Sequence, residues 1–146
     1  TIPLRLVAYS GKSAVPKIEG WQNLKGTHYN VEYARGALIV ETNLNRILKP
    51  EQISSVIEAI QGLRKLVSGR SDIYIDDENV VLPLLASPEF KDHITVVGTM
   101  DEAPLHLYMH KRHAALVPKL AEAIKAVKKE GLIGQFRDSA FGIKKR

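Results

Sequence analysis

Short stretches with a two-residue apolar period alternate along this chain with longer ones in which apolar side chains recur every three or four residues, and that alternation limits the available folds. The N-terminal IPLRLVAYS places Ile2, Leu4, Leu6 and Ala8 on one face of a strand, with Arg5 on the other. HYNVEYA, His28 to Ala34, reads as a second strand, entered through the turn signal Lys25-Gly26 and broken by Arg35-Gly36. ALIVETNLNRI continues as helix. A further helix is expected from Pro50, a first-turn residue, along the stripe Ile53, Val56, Ile57, Ile60 and Leu63, closing at Gly69 in a left-handed cap. DIYI is a short buried strand, HITVVG another and LHLYM a third, while Pro83 and Pro88 keep the intervening ENVVLPLLASPEF short. A last long helix carries the stripe Leu116, Leu120, Ala123, Ile124 and Val127 and ends at Gly131. The sum is an α/β fold, a parallel-type sheet flanked by helices.

A chain of 146 residues, 45% hydrophobic and 25% charged, supports one respectable core. It has no cysteine, which excludes disulfides, thiolate metal sites and cysteine nucleophiles and leaves the redox compartment open. No apolar run approaches the roughly 20 residues that a membrane helix needs. The N-terminus alternates like a strand and lacks a signal-peptide layout. Charge is unevenly placed: residues 105–146 carry ten Lys/Arg against three acids, whereas residues 1–104 carry eleven against thirteen. Lys125, Lys128 and Lys129 read as the solvated face of the last helix. With aromatic residues at 6% there is no stacking platform, so no nucleic-acid partner is expected.

The stretch GLRKLVSGRSDIYIDDEN ends a buried-looking strand on three acids, Asp76, Asp77 and Glu78. In open α/β sheets, ligands bind beyond the carboxyl ends of the strands, where loops lead into helix N-termini. A carboxylate there pairs with a cationic ligand group or caps the next helix. Capping accounts for one acid and leaves spare charge from the other two. His106, His110 and His113 have helical metal spacing, but the first two fall in a strand and its exit, so no metal site is expected. Ser10 in YSGKS lies in an incomplete phosphate loop, since Leu6 stands where its first glycine belongs. Trp21 and Tyr29 are expected at an edge of the fold and Tyr74 in its core. No partner for acid-base chemistry can be placed opposite Asp77, so the expectation is a non-enzymatic protein without cofactor.

Three stretches carry a family resemblance. WQNLKGTHYNVEYARG resembles the lead-in to the second lobe of bacterial extracellular solute-binding proteins of family 3, the amino-acid-binding branch of type II periplasmic binding proteins. GLRKLVSGRSDIYIDD is similar to the stretch in which a helix, a small-residue turn and a buried strand deliver that family's ligand-binding aspartate. LHLYMHKRHAALVPKLAEAIKAVKKEGLIGQF is similar to its closing segment, a hinge strand, a polar turn and a long helix. The resemblance spans nearly the whole chain in order.

It implies a hinge strand and solute-binding second lobe in residues 1–104, and a return strand with a C-terminal helical segment in residues 105–146. The first lobe, with its aromatic clamp and carboxylate-gripping arginine, has no counterpart in these residues. By the resemblance, Asp77 receives a ligand ammonium and Asp76 is the variable position before it. Arg35, Gly36 and Ala37 match the loop whose amides and hydroxyl hold a ligand carboxylate, except that Ala37 stands where the family has Thr or Ser. The ligand implied is an amino acid or related small polar molecule. The partner implied is a membrane transporter or a sensor, and the location is the periplasm. The alternatives are a dehydratase-like enzyme of the same fold and a sensor or interaction module with a decayed site. The apolar stripe of the last helix, left without a first lobe, is expected to pair in a homodimer.

Overall fold

The computed structural model describes residues 2–11 and 15–140. They form two compact units, Ile2–Leu105 and a unit from His106 onward. The first is a five-stranded sheet in the order β3-β2-β4-β1-β5. Its strands are β1 (Ile2–Gly11), β2 (Val31–Ala34), β3 (Ile53–Val56), β4 (Ile73–Asp77) and β5 (Ile94–Leu105). Strands β3, β2 and β4 pair in parallel, and β1 is antiparallel to both β4 and β5, so β1 alone runs against the other four. This is the mostly parallel, helix-flanked sheet that the alternation implies.

Both faces of the sheet are covered. On one, Leu6, Ala8, Val31, Tyr33, Ile73 and Ile75 pack against Val40 and Leu44 of α1 (Leu38–Ile47), with Ile18 and Leu24 alongside. On the other, Val7, Tyr9, Val56 and Tyr74 meet Leu63 and Leu66 of α2 (Ala59–Val67), Val81 of α3 (Glu78–Leu85), and Phe90. Successive strand residues point to opposite faces, so strands buried on both sides read as nearly unbroken apolar runs. That is why DIYI has no polar face, and why Val7 and Tyr9 are as buried as the Leu6 and Ala8 that mark the strand in sequence.

Two expected elements take other forms. The helix expected from Pro50 to Gly69 is divided into a 3-10 turn at Pro50–Gln52, the strand β3, and α2. Ile53 and Val56 are β-branched, and the two serines between them have little helical preference, so ISSV pairs with β2 instead. The Gln61 side chain then starts α2 by accepting from the amides of Ile57 and Glu58, both at 3.1 Å. The helix ends as its sequence implies, with Gly69 at φ 70°. HITVVG and LHLYM are likewise not separate strands. β5 runs unbroken to Leu105 because β1 pairs with it from Gly11↔Ile94 to Ile2↔Leu105, through two register shifts. The residues of LHLYM after Leu105 leave the strand.

The second unit holds a 3-10 segment, Lys111–Leu116, then α4 (Val117–Lys129) and α5 (Leu132–Ala140). Leu120, Ile124 and Val127 are half-buried, whereas Leu116, Val117 and Phe136 remain 48%, 49% and 67% exposed. None of the side chains of α4 is fully buried.

Candidate functional site

The parallel strands β2, β3 and β4 end on one rim of the sheet, and the chain segments that leave them form the candidate site. The pairing Tyr33↔Ile75 puts Arg35 level with Asp77, two residues further along each strand. The Arg35 amide donates to the Val56 carbonyl at 2.8 Å, which ties the turn to the end of β3. Gly36 follows at φ 92°, a conformation side chains rarely adopt. Ala37 occupies the N-cap of α1 and offers no side-chain acceptor. The Ala37 and Leu38 amides bond back to Ala34 and Gly36, at 3.1 and 2.9 Å. Those of Ile39 and Val40 have no acceptor among the described residues. An exposed guanidinium beside a helix N-terminus with unused amides favours an anion.

The three acids at the end of β4 have three different surroundings. Asp76 is buried; its Oδ2 accepts from the Tyr74 hydroxyl at 2.5 Å and its Oδ1 from the Asp77 amide at 2.8 Å. Burial holds its pKa above the ordinary carboxylate value, against the pull of those two hydrogen bonds. Asp77 is half-buried and caps α3, its Oδ1 accepting from the Asn79 amide at 2.9 Å and from Asn79 Nδ2 at 3.0 Å. Glu78 receives Arg5 Nη1 on both oxygens at 3.1 Å, while Arg5 also reaches Glu102 and Thr99. The charge of Glu78 is therefore matched by that of Arg5. Among the described residues, the oxygen of this acidic run left without a hydrogen bond is Oδ2 of Asp77.

Five residues expected at the site are thus divided by the fold. Arg35, Gly36, Ala37 and Asp77 come to one rim. Asp76 is adjacent in sequence, but its carboxylate is engaged inside the protein. The Tyr9 hydroxyl is buried without a hydrogen-bond partner among the described residues, and burial followed by the charge of Glu78 raises its pKa. Tyr74 lies in the core as expected, its pKa raised mainly by burial. Trp21 is half-buried and donates to Asp101 at 3.2 Å.

The other candidates disperse. Nδ1 of His110 accepts from the Arg112 amide, His113 accepts from Arg112 Nε, and His106 is exposed. No cluster of three metal-ligating side chains occurs among the described residues. Ser10 is buried and donates to the Asp72 carbonyl at 2.8 Å; the Lys12-Ser13 of the incomplete phosphate loop lie outside the described residues.

The sequence reading missed a buried ion pair. Glu32, 1% exposed in the middle of β2, accepts two hydrogen bonds from Lys65 of α2, at 2.7 and 2.9 Å. The partners are 33 residues apart, so no local spacing signals them. The only trace is a charged residue inside the apolar run NVEYA.

No protein-family model matches the chain. An uncharacterized protein of Shewanella oneidensis is 36% identical over 140 residues, covering 95% of this chain and 53% of that protein. Among solved structures, an amino acid ABC transporter substrate-binding protein, AbpA, from Streptococcus pneumoniae bound to L-arginine superposes with a TM-score of 0.77 at 19% identity, over 99% of this chain and 60% of that one. A mutant of ArgBP from T. maritima gives 0.73 at 14% identity, over 97% and 59%. A histidine kinase sensor domain with similarity to periplasmic binding proteins gives 0.74 at 14% identity, over 94% and 58%. The chain spans about half the length of its Shewanella relative and about three fifths of these structures. Over that share, it has the fold of the amino-acid-binding solute-binding proteins that its motifs resemble.

Proposed function

We propose that this chain is the ligand-binding lobe of a non-enzymatic, exported receptor for an amino acid or related small polar molecule, and that the sheet rim is its site. In this reading the free Oδ2 of Asp77 receives a ligand ammonium. Arg35 and the amides around Gly36 and Ala37 receive a carboxylate. Asp76 stands behind them, fixing the Asp77 backbone through its amide. The observation that carries the reading is the level placement of an unspent carboxylate oxygen and an uncapped, arginine-flanked helix N-terminus on one rim. It is supported by neighbours of the same fold described with bound L-arginine, serine and methionine. The partner is a membrane transporter or a sensor; an ABC transporter protein and a kinase sensor domain share the fold. No helix among the described residues is long and apolar enough to cross a membrane.

Residues 105–146 form the closing segment in this reading, and their exposed Leu116, Val117 and Phe136 meet a second copy of the chain. Covering each such side chain contributes about 1.5–3 kcal/mol. The test of the site is calorimetric titration with a panel of L-amino acids, comparing wild type with Asp77→Asn. Binding weakened about tenfold by that change supports the proposal. Binding indifferent to it removes the rim as the site.

A further inference from the structure

Away from the free carboxylate of the rim, a groove of about 620 Å³ runs where α2 overhangs β3, with Arg35, Arg64, Lys65, Arg70, Ser55 and Ile57 among its walls. Two of its four cations are already matched: Lys65 is pinned by the buried Glu32, and Arg64 pairs with Glu89 at 2.7 Å. The other two, Arg35 and Arg70, make no side-chain hydrogen bond or ion pair among the described residues. They sit at opposite ends of the strands. Arg35 follows the last residue of β2, whereas Arg70 comes just before the point where the Asp72 amide meets Asn30, at the start of β2. Five residues of strand separate those backbone levels, about 16 Å at ~3.3 Å per residue, and residues four apart on one face of an added strand, about 13 Å, reach both through the length of their side chains.

Beside the groove runs β3, the terminal strand of the sheet order, whose outer edge pairs with no other strand among the described residues of its unit. Such an edge offers unpaired amides and carbonyls to an added strand. Ile57, 71% exposed at its exit, supplies an apolar contact.

We infer that this groove binds an extended acidic peptide segment, which adds as a strand to the outer edge of β3 and sets carboxylates four residues apart on Arg35 and Arg70. Main-chain pairing supplies the affinity and the two guanidiniums supply the selection. A nucleic-acid strand is disfavoured because no aromatic side chain among the described residues lines the groove for its bases to stack on.

The test uses the full chain and a fluorescent seven-residue peptide, TETVTET, whose two glutamates are four apart, followed by anisotropy at low ionic strength. Arg70→Glu is the diagnostic change: the residue is exposed, so the fold is retained, as circular dichroism will check, and it lies far from Asp77, so the rim reading, which shares Arg35 with the groove but not Arg70, stands or falls separately. Saturable binding that weakens about tenfold or more in Arg70→Glu, and again when alternate peptide amides are N-methylated, supports the inference. Equal binding of TKTVTKT, indifference to Arg70→Glu, no binding of TETVTET, or an oligothymidylate that binds as tightly would each overturn it.

Discussion

Replacing Lys65 by methionine tests the buried charge that joins α2 to the sheet. Glu32 is 1% exposed and both of its oxygens are held by the Lys65 ammonium, which is itself 35% exposed. Methionine keeps most of the length of the lysine stem and deletes the charge, leaving a buried carboxylate without its cation. Stranding a buried charge in this way costs about 3–5 kcal/mol. The open side of Lys65 lets some water in, so the expected loss is near the lower end, about 3 kcal/mol. The reverse change, Glu32→Gln, keeps an acceptor oxygen and leaves an ammonium that turns to solvent, for about 1 kcal/mol. The pair is therefore asymmetric, and the double variant should lose less than Lys65→Met alone. Urea unfolding followed by Trp21, the chain's one tryptophan and part of the sheet unit, measures all three. With a slope of about 2 kcal/mol per molar, Lys65→Met shifts the midpoint down by about 1.5 M. A Lys65→Met midpoint no lower than that of Glu32→Gln would refute the reasoning.

Three further outcomes follow from the same geometry. Because burial raises the folded-state pKa of Asp76, the folded chain holds that proton more tightly than the unfolded one, and stability is lost as pH rises from 3.8 through the raised value. Asp76→Asn removes that loss, so its stability relative to wild type should improve over this interval; a pH-independent difference in urea midpoints would speak against it. Asp77→Ala deletes the α3 cap and should lower stability by about 1 kcal/mol, with Asp77→Asn restoring most of it; no change in midpoint would show that the cap is idle. Leu120→Asp, on the half-buried stripe of α4, should shift sedimentation equilibrium from dimer towards monomer. A wild type that is monomeric at every concentration removes the dimer.

What the sequence disclosed was whatever is written in local periodicity. The two-residue rhythm of IPLRLVAYS and the buried run DIYI gave their strands, and Arg35-Gly36 gave the turn that ends β2. ISSV misled because Ile53, Val56, Ile57 and Ile60 also satisfy helical spacing; only pairing with β2, more than twenty residues earlier, decides for strand. The long β5 was hidden for the same reason, since DEAP carries no strand signal and is drawn in by β1 from the far end of the chain. At the site, the neighbourhood of Asp77 and Arg35 was legible from the motif order. The division of labour among Asp76, Asp77 and Glu78 was not, because it depends on Tyr74, Asn79 and Arg5, and the last lies 73 residues away.

The most direct test of the rim is an amide-resolved NMR titration of the 146-residue chain with L-amino acids up to millimolar concentration. One lobe offers contacts from one side, so the account predicts weak binding, with a Kd of about 1 mM, or about −4 kcal/mol. It also predicts where: saturable shifts gathered at Gly36, Ala37, Leu38, Asp77 and Glu78, and lost in Asp77→Asn. Shifts that gather elsewhere, or a rim that stays silent throughout the titration, would contradict it.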